Sequence, residues 1–65
     1  MNLLLNGQNE EIQAETVDDL VNELGLVREA ALIEHNGTAL LRSEWAHRSL
    51  GSGDRVEILR VAAGG

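Results

Sequence analysis

The chain ends in two glycines, whose chemically useful group is the terminal carboxylate. Gly64 and Gly65 follow Ala62 and Ala63, so the last four residues carry no side chain larger than a methyl group. Such a segment can enter a narrow channel and adopt backbone angles that other residues avoid. Small residues are also common in frayed chain ends. Because an apolar strand is predicted just before it, we expect this tail to deliver the Gly65 carboxylate into another protein's active site.

Other groupings of reactive residues are weaker. His35 and His47 would need a third ligand such as Glu44 to hold a metal ion, and we expect no metal site. The glycine-rich residues 51–54 superficially suggest a phosphate-binding loop. No Gly-Lys-Ser/Thr follows them, the chain has no Lys, and they lead into a predicted strand. The absence of Cys excludes a cysteine nucleophile and thiolate metal ligands.

Size and charge narrow the class of protein. With 65 residues the chain forms one domain, predicted to span residues 1–61 with a flexible tail at 62–65. Five Arg against eleven carboxylates give a net charge of −6, which disfavours nucleic-acid and anionic-membrane partners and suggests partners with basic docking surfaces. No basic residue precedes Arg28 and no apolar run approaches membrane-spanning length, so we expect a cytoplasmic domain.

The first half of the chain predicts a hairpin and a helix. Strands at 1–5 and about 10–14 flank an Asn-Gly turn, with Ile12 pointing inward. Thr16 is the expected helix N-cap. Aliphatic residues at 17, 20, 21 and 24 then form one helical stripe, which Gly25 ends.

The second half predicts further strands around a helical turn. A strand at 30–35 places Ala31, Ile33 and His35 on one face and Leu32 and Glu34 on the other. A second Asn-Gly turn precedes a short returning segment at 38–41. Ser43 is predicted to cap one helical turn, in which Trp45 fills the core with its N–H bonded. After the loop at 51–54 the last strand covers 56–61. The predicted fold is α+β, with one mixed four-stranded sheet packed on one helix plus a short helical turn.

The last strand predicts a binding surface beside the tail. Val56 and Ile58 are expected to face the helix, so Leu59, Val61 and Leu4 point to the uncovered side of the sheet. One interpretation is that these three residues are separate apolar side chains on the surface, which are common in proteins. We favour a contiguous patch that docks a partner. Arg60 either pairs with a partner carboxylate or remains solvated.

In combination these features resemble the ubiquitin-like sulfur carriers of the β-grasp fold, and most closely the ThiS family of thiamine biosynthesis. The small subunit of molybdopterin synthase is the second-best match, but it usually carries a Pro-Pro-Val segment before its terminal glycines, and this chain has no Pro. The resemblance rests on residues throughout the chain: Asn6-Gly7, Thr16-Val17, Glu34-His35-Asn36-Gly37, Arg42, Trp45, Gly53-Asp54-Arg55-Val56-Glu57-Ile58 and Val61-Ala62-Ala63-Gly64-Gly65.

The resemblance implies a carrier protein rather than an enzyme. A ThiF-like adenylyltransferase would use ATP to adenylate the Gly65 carboxylate, and a persulfide donor would convert it to a thiocarboxylate. A ThiG-like thiazole synthase would receive the sulfur, and the carrier itself would bind no cofactor. The alternatives are a carrier for molybdopterin synthesis, a ubiquitin-like modifier that acylates lysine, and a plain interaction module.

Overall fold

The computed structural model describes residues 1–61, which form a five-stranded mixed sheet with an α-helix packed on one face. The fifth strand is the short returning segment after the second Asn-Gly turn, so the predicted count of four was one too low. The elements in chain order are β1 (Asn2–Leu5), β2 (Gln8–Glu11), α1 (Val17–Glu23), a first 3-10 turn (Arg28–Ala30), β3 (Ala31–His35), β4 (Thr38–Leu40), a second 3-10 helix (Arg42–His47) and β5 (Arg55–Arg60).

The last strand lies in the middle of the sheet, whose strand order is β2-β1-β5-β3-β4. β5 pairs in parallel with β1, with Leu5 opposite Val56. On its other side β5 pairs antiparallel with β3, with Leu32 opposite Leu59. The first and last strands are therefore parallel neighbours at the centre of the sheet, and both neighbours of β5 support the strand from which the tail continues.

Both Asn-Gly pairs form two-residue hairpin turns. Asn6 and Asn36 each have φ of 50°, and the following glycines also have positive φ, as tight hairpins require. The first turn pairs Leu5 with Gln8. Consequently β2 begins at Gln8, two residues before its predicted start, and Ile12 enters the core after the strand has ended.

Helix α1 forms where the apolar stripe and the N-cap residue Thr16 predict it. The Thr16 hydroxyl accepts a hydrogen bond from the Asp19 amide at 3.1 Å, which caps the first turn. Val17, Leu20 and Val21 are fully buried. Gly25 follows the helix with φ of +66°, a left-handed conformation that glycine adopts without strain. These helical residues pack against Leu3 and Val56 from the sheet, so α1 covers the middle of the sheet.

The second 3-10 helix differs from its prediction in two ways. Leu41, not Ser43, is its N-cap, and the Glu44 carboxylate accepts the Leu41 amide at 2.7 Å. Trp45 is buried as predicted, but its indole N–H has no hydrogen-bond acceptor among the described residues. The Arg28 guanidinium lies over the indole, 5.1 Å from the ring centroid. Within residues 1–61 no helix has the length and apolar character to cross a bilayer.

Candidate functional site

The site of interest is the end of β5, where the chain leaves the sheet. The Val61 amide donates to the Ala30 carbonyl at 2.7 Å, which extends the contact between β5 and its neighbour by one residue. Val61 and Arg60 line a shallow groove together with residues 24–27, 30 and 31. Arg60 is exposed there. Ala62, Ala63, Gly64 and Gly65 lie outside the described residues, so their predicted roles remain predictions.

Side chains of both Asn-Gly turns brace β5. The Asn6 amide accepts from the Ile58 N–H at 2.7 Å and donates to the Ile58 carbonyl at 3.2 Å. On the opposite side, the Asn36 side chain accepts from the Arg55 N–H at 2.8 Å. These bonds satisfy β5 backbone groups beside the turns, where the neighbouring strands have ended. The strand that leads to the tail is therefore held from both sides.

The outer face of the sheet carries an apolar surface near the tail. Leu59 lies directly opposite Leu32, and the two residues are 63% and 52% exposed. Leu41 follows β4 and is also exposed, at 69%. We call the facing pair Leu32 and Leu59 the leucine surface. Sequence reasoning placed Leu32 on this face but missed its part in the surface, because the pairing with Leu59 depends on strand register.

The other predicted docking residues lie elsewhere. Leu4 is on the outer face but pairs with Arg55, four residues before Leu59, which corresponds to about 13 Å along the strand. Val61 lines the groove beside the segment that follows α1. The structure therefore does not join Leu4, Leu59 and Val61 into one patch. Whether each of them binds a partner remains a prediction.

Acidic residues adjoin the leucine surface. Glu34 and Glu57 lie directly opposite each other on β3 and β5, one step further from the tail on the same face. Both side chains are exposed. Like charges at opposed positions repel each other. A basic group on a docking protein would relieve this repulsion, so the surface combines apolar contact area with a local preference for cations.

A buried histidine cluster lies at the opposite end of β3 from the tail. His35 is 5% exposed, and its Nε2 lies 2.7 Å from an Asp54 carboxylate oxygen. Arg48 Nε donates to Nδ1 at 2.8 Å, so in the neutral ring the proton sits on Nε2 and is donated to Asp54. That hydrogen bond from His35 is the main cause that lowers the pKa of Asp54 below its usual 3.8, aided by the Gly51 amide. The cluster fixes the loop at 51–54 as a turn.

No metal centre is formed by the described part of the chain. Residues 1–61 hold no group of three or more His, Asp or Glu side chains that could share an ion. His35 and His47 therefore do not combine with Glu44 in the way that a metal site would require. His35 instead bonds to Asp54 and Arg48.

The topology defines the class of protein. A mixed sheet with its first and last strands parallel at the centre, crossed on one face by a helix, is the ubiquitin-like β-grasp fold. The sequence profile of the ThiS family matches residues 3–65, and the chain belongs to that family.

Solved structures agree with this assignment. The crystal structure of the thiamine biosynthesis protein ThiS from Geobacter metallireducens is 33% identical and superposes with a TM-score of 0.82, with all of both chains covered. The solution structure of a thiamine biosynthesis protein from the same organism also gives 33% identity and a TM-score of 0.82, covering 100% of this chain and 88% of that one. A comparison with curated proteins finds no match.

Proposed function

We propose that this protein is a sulfur carrier of thiamine biosynthesis that transports sulfur on the carboxylate of Gly65. The observation that carries the proposal is the family match, which continues through residue 65 and so includes both terminal glycines. The proposal is supported by the position of β5, which is the central strand of the sheet. Val61, the residue that follows β5, donates its amide proton to the Ala30 carbonyl. The protein is a substrate of its partner enzymes and supplies no acid, base or metal of its own.

Loading would proceed in three chemical steps. A carboxylate is a poor electrophile, so an oxygen of Gly65 first attacks the α-phosphorus of ATP on a ThiF-like adenylyltransferase, and pyrophosphate leaves. The terminal sulfur of a protein persulfide then attacks the acyl carbon, and AMP leaves. A second thiol cleaves the resulting sulfur–sulfur bond, which forms a disulfide on the donor and releases Gly65 as a thiocarboxylate. This nucleophile would pass its sulfur to a ThiG-like thiazole synthase. The need for ATP favours a cytoplasmic location.

The folded domain would contribute docking and positioning. The leucine surface offers apolar contact beside the tail, and Glu34 with Glu57 favours a basic partner. Arg60 would pair with a carboxylate of the partner, and Val61 and Ala62 to Gly64 would follow into its channel. Threading costs on the order of 1–2 kcal/mol of backbone ordering for each residue. Docking of the domain must offset this cost.

Intact-mass measurement after loading tests the proposal. The protein is incubated with a cognate ThiF-like adenylyltransferase, ATP and a persulfide donor. We expect a mass increase equal to the replacement of one oxygen by sulfur. Two controls, deletion of Gly65 and addition of one residue after it, should fold normally and show no such increase. An unchanged wild-type mass would refute the carrier function, and a covalent conjugate that survives denaturation would instead support a ubiquitin-like modifier.

A further inference from the structure

The first 3-10 turn accepts a hydrogen bond from the residue that directly follows β5. Val61, the residue that immediately precedes the tail, donates its amide proton to Ala30, which ends this turn. A further bond within the turn joins the Ala30 amide to the Val27 carbonyl at 3.0 Å. The direction in which the chain leaves the sheet therefore depends on where the turn is held.

The Arg42 side chain holds the turn through hydrogen bonds to backbone carbonyls of the turn. Its Nε donates to the Arg28 carbonyl at 2.8 Å, and its Nη2 donates to the Glu29 carbonyl at 2.7 Å. The planar guanidinium can make both bonds at once, which a lysine ammonium on a flexible stem cannot reproduce. Arg42 begins the second 3-10 helix, which is anchored in the core by Trp45. The turn is thus tied to a rigid part of the molecule.

The side chain of Arg28 provides a second attachment. It forms an ion pair with Asp18 on α1. The same guanidinium lies over the ring of Trp45, where a cation is attracted to the aromatic face. The turn is consequently fixed by its carbonyls from one side and by its own arginine from the other.

We propose that Arg42, assisted by Arg28, is a positioning residue for sulfur loading, because it fixes the turn that holds Val61 and thereby aims the tail. The inference rests on the proposed function, in which the tail enters a partner's active site. A tail that starts from a fixed residue loses less conformational freedom when it is bound. Arg42 acts through the turn and touches none of the reacting atoms.

Amide hydrogen exchange and loading kinetics of Arg42→Ala together test the proposal. We expect exchange at the Val61 amide to accelerate at least about fivefold, while the Asn36 amide, bonded to Arg55 at the far end of β5, keeps its rate. We also expect kcat/KM for loading to fall about fivefold, as one more residue must be ordered on binding. Arg55→Ala removes the same charge at the far end of the strand and should change neither quantity.

Arg42→Lys separates positioning from general loss of stability. It keeps the charge but not the two parallel bonds, so it should change both quantities in the same direction by a smaller factor. If Arg42→Ala accelerates exchange at Asn36 as well, the alanine variant has lost stability throughout the domain. Exchange at Val61 and the loading rate of Arg42→Lys then decide whether Arg42 positions the tail. Unchanged exchange at Val61, or faster exchange with unaltered loading, would overturn the inference. Failure of the wild-type protein to load would refute the proposed function, and exchange at Val61 would then decide whether Arg42 holds the end of β5.

Discussion

Asn6 binds both backbone groups of Ile58, a residue 52 positions further along the chain. β1 ends at Leu5, where the chain turns away into the hairpin. The Asn6 side-chain amide then presents a carbonyl and an N–H to β5, as another residue of β1 would have done. One residue therefore serves two purposes, since its backbone adopts the positive φ of the turn and its side chain extends the central strand pairing.

Replacement of Asn6 by Gly should destabilise the protein by about 1–2 kcal/mol, because two hydrogen bonds to Ile58 are lost. Glycine tolerates the positive φ, so this variant isolates the bonds from backbone strain. Asn6→Ala adds strain and should cost more. Urea denaturation followed by circular dichroism measures both. Asn9→Ala on exposed β2 serves as the control, and equal stabilities of Asn6→Gly and wild type would contradict the role of the side chain.

Local signals predicted most of the fold. The Asn-Gly pairs, the cap at Thr16 and the helical stripe each specify structure within a few residues, and all of them appear where expected. The sequence does not predict β4 as a strand of the sheet, because residues 38–41 are too few to establish an alternating pattern. The predicted cap at Ser43 is wrong because the Glu44 carboxylate accepts the Leu41 amide instead, and the helix starts two residues earlier.

Long-range register was the part of the site that the sequence could not supply. Alternation correctly assigned Leu4, Leu32 and Leu59 to the outer face, but it does not say which residues face each other across strands. Only the paired register shows that Leu32 adjoins Leu59 and that Leu4 lies further along the sheet. Arg42 donates hydrogen bonds to the carbonyls of Arg28 and Glu29, which lie 14 and 13 positions earlier in the chain. Nothing in the local sequence pattern indicates these two bonds.

Stability should fall in acid through the contact between His35 and Asp54. The pKa of Asp54 is lower in the folded protein than its usual 3.8, so the folded state favours the ionised carboxylate. This contribution is fully present above pH 3.8 and disappears as the pH falls through the lowered pKa. Asp54→Asn should be less stable than wild type at neutral pH. When the pH is lowered from above 3.8 to below the lowered pKa of Asp54, the variant should lose less stability than wild type does.

Denaturant unfolding at a series of pH values measures this difference. The asparagine variant retains the shape of the side chain, so a steric effect would lower stability equally at all pH values. Parallel curves for wild type and Asp54→Asn would contradict an electrostatic contribution from this carboxylate. Convergence of the two curves in acid is the expected result.

A charge placed in the leucine surface should weaken docking without unfolding the protein. Leu59→Glu and Leu32→Glu each put a carboxylate into apolar contact area, and we expect about tenfold weaker binding to the adenylyltransferase, measured by calorimetry. Both side chains are largely exposed, so thermal stability should change little. Leu4→Glu, further along the sheet, tests how far the interface extends. Gln8→Glu adds the same charge on exposed β2 and should bind normally, and normal binding by Leu59→Glu would remove the leucine surface from the interface.

Association with the adenylyltransferase should slow as salt concentration rises, because a chain of net charge −6 is attracted to a basic partner over distances that ions screen. Stopped-flow measurements over increasing ionic strength should show a decline of about an order of magnitude. Glu34→Gln and Glu57→Gln should each reduce this dependence more than Glu10→Gln, since Glu10 lies on β2 at the edge of the sheet. The three variants lose the same charge, so an equal effect of all three would mean that net charge alone steers the encounter. A rate independent of salt would contradict electrostatic steering altogether.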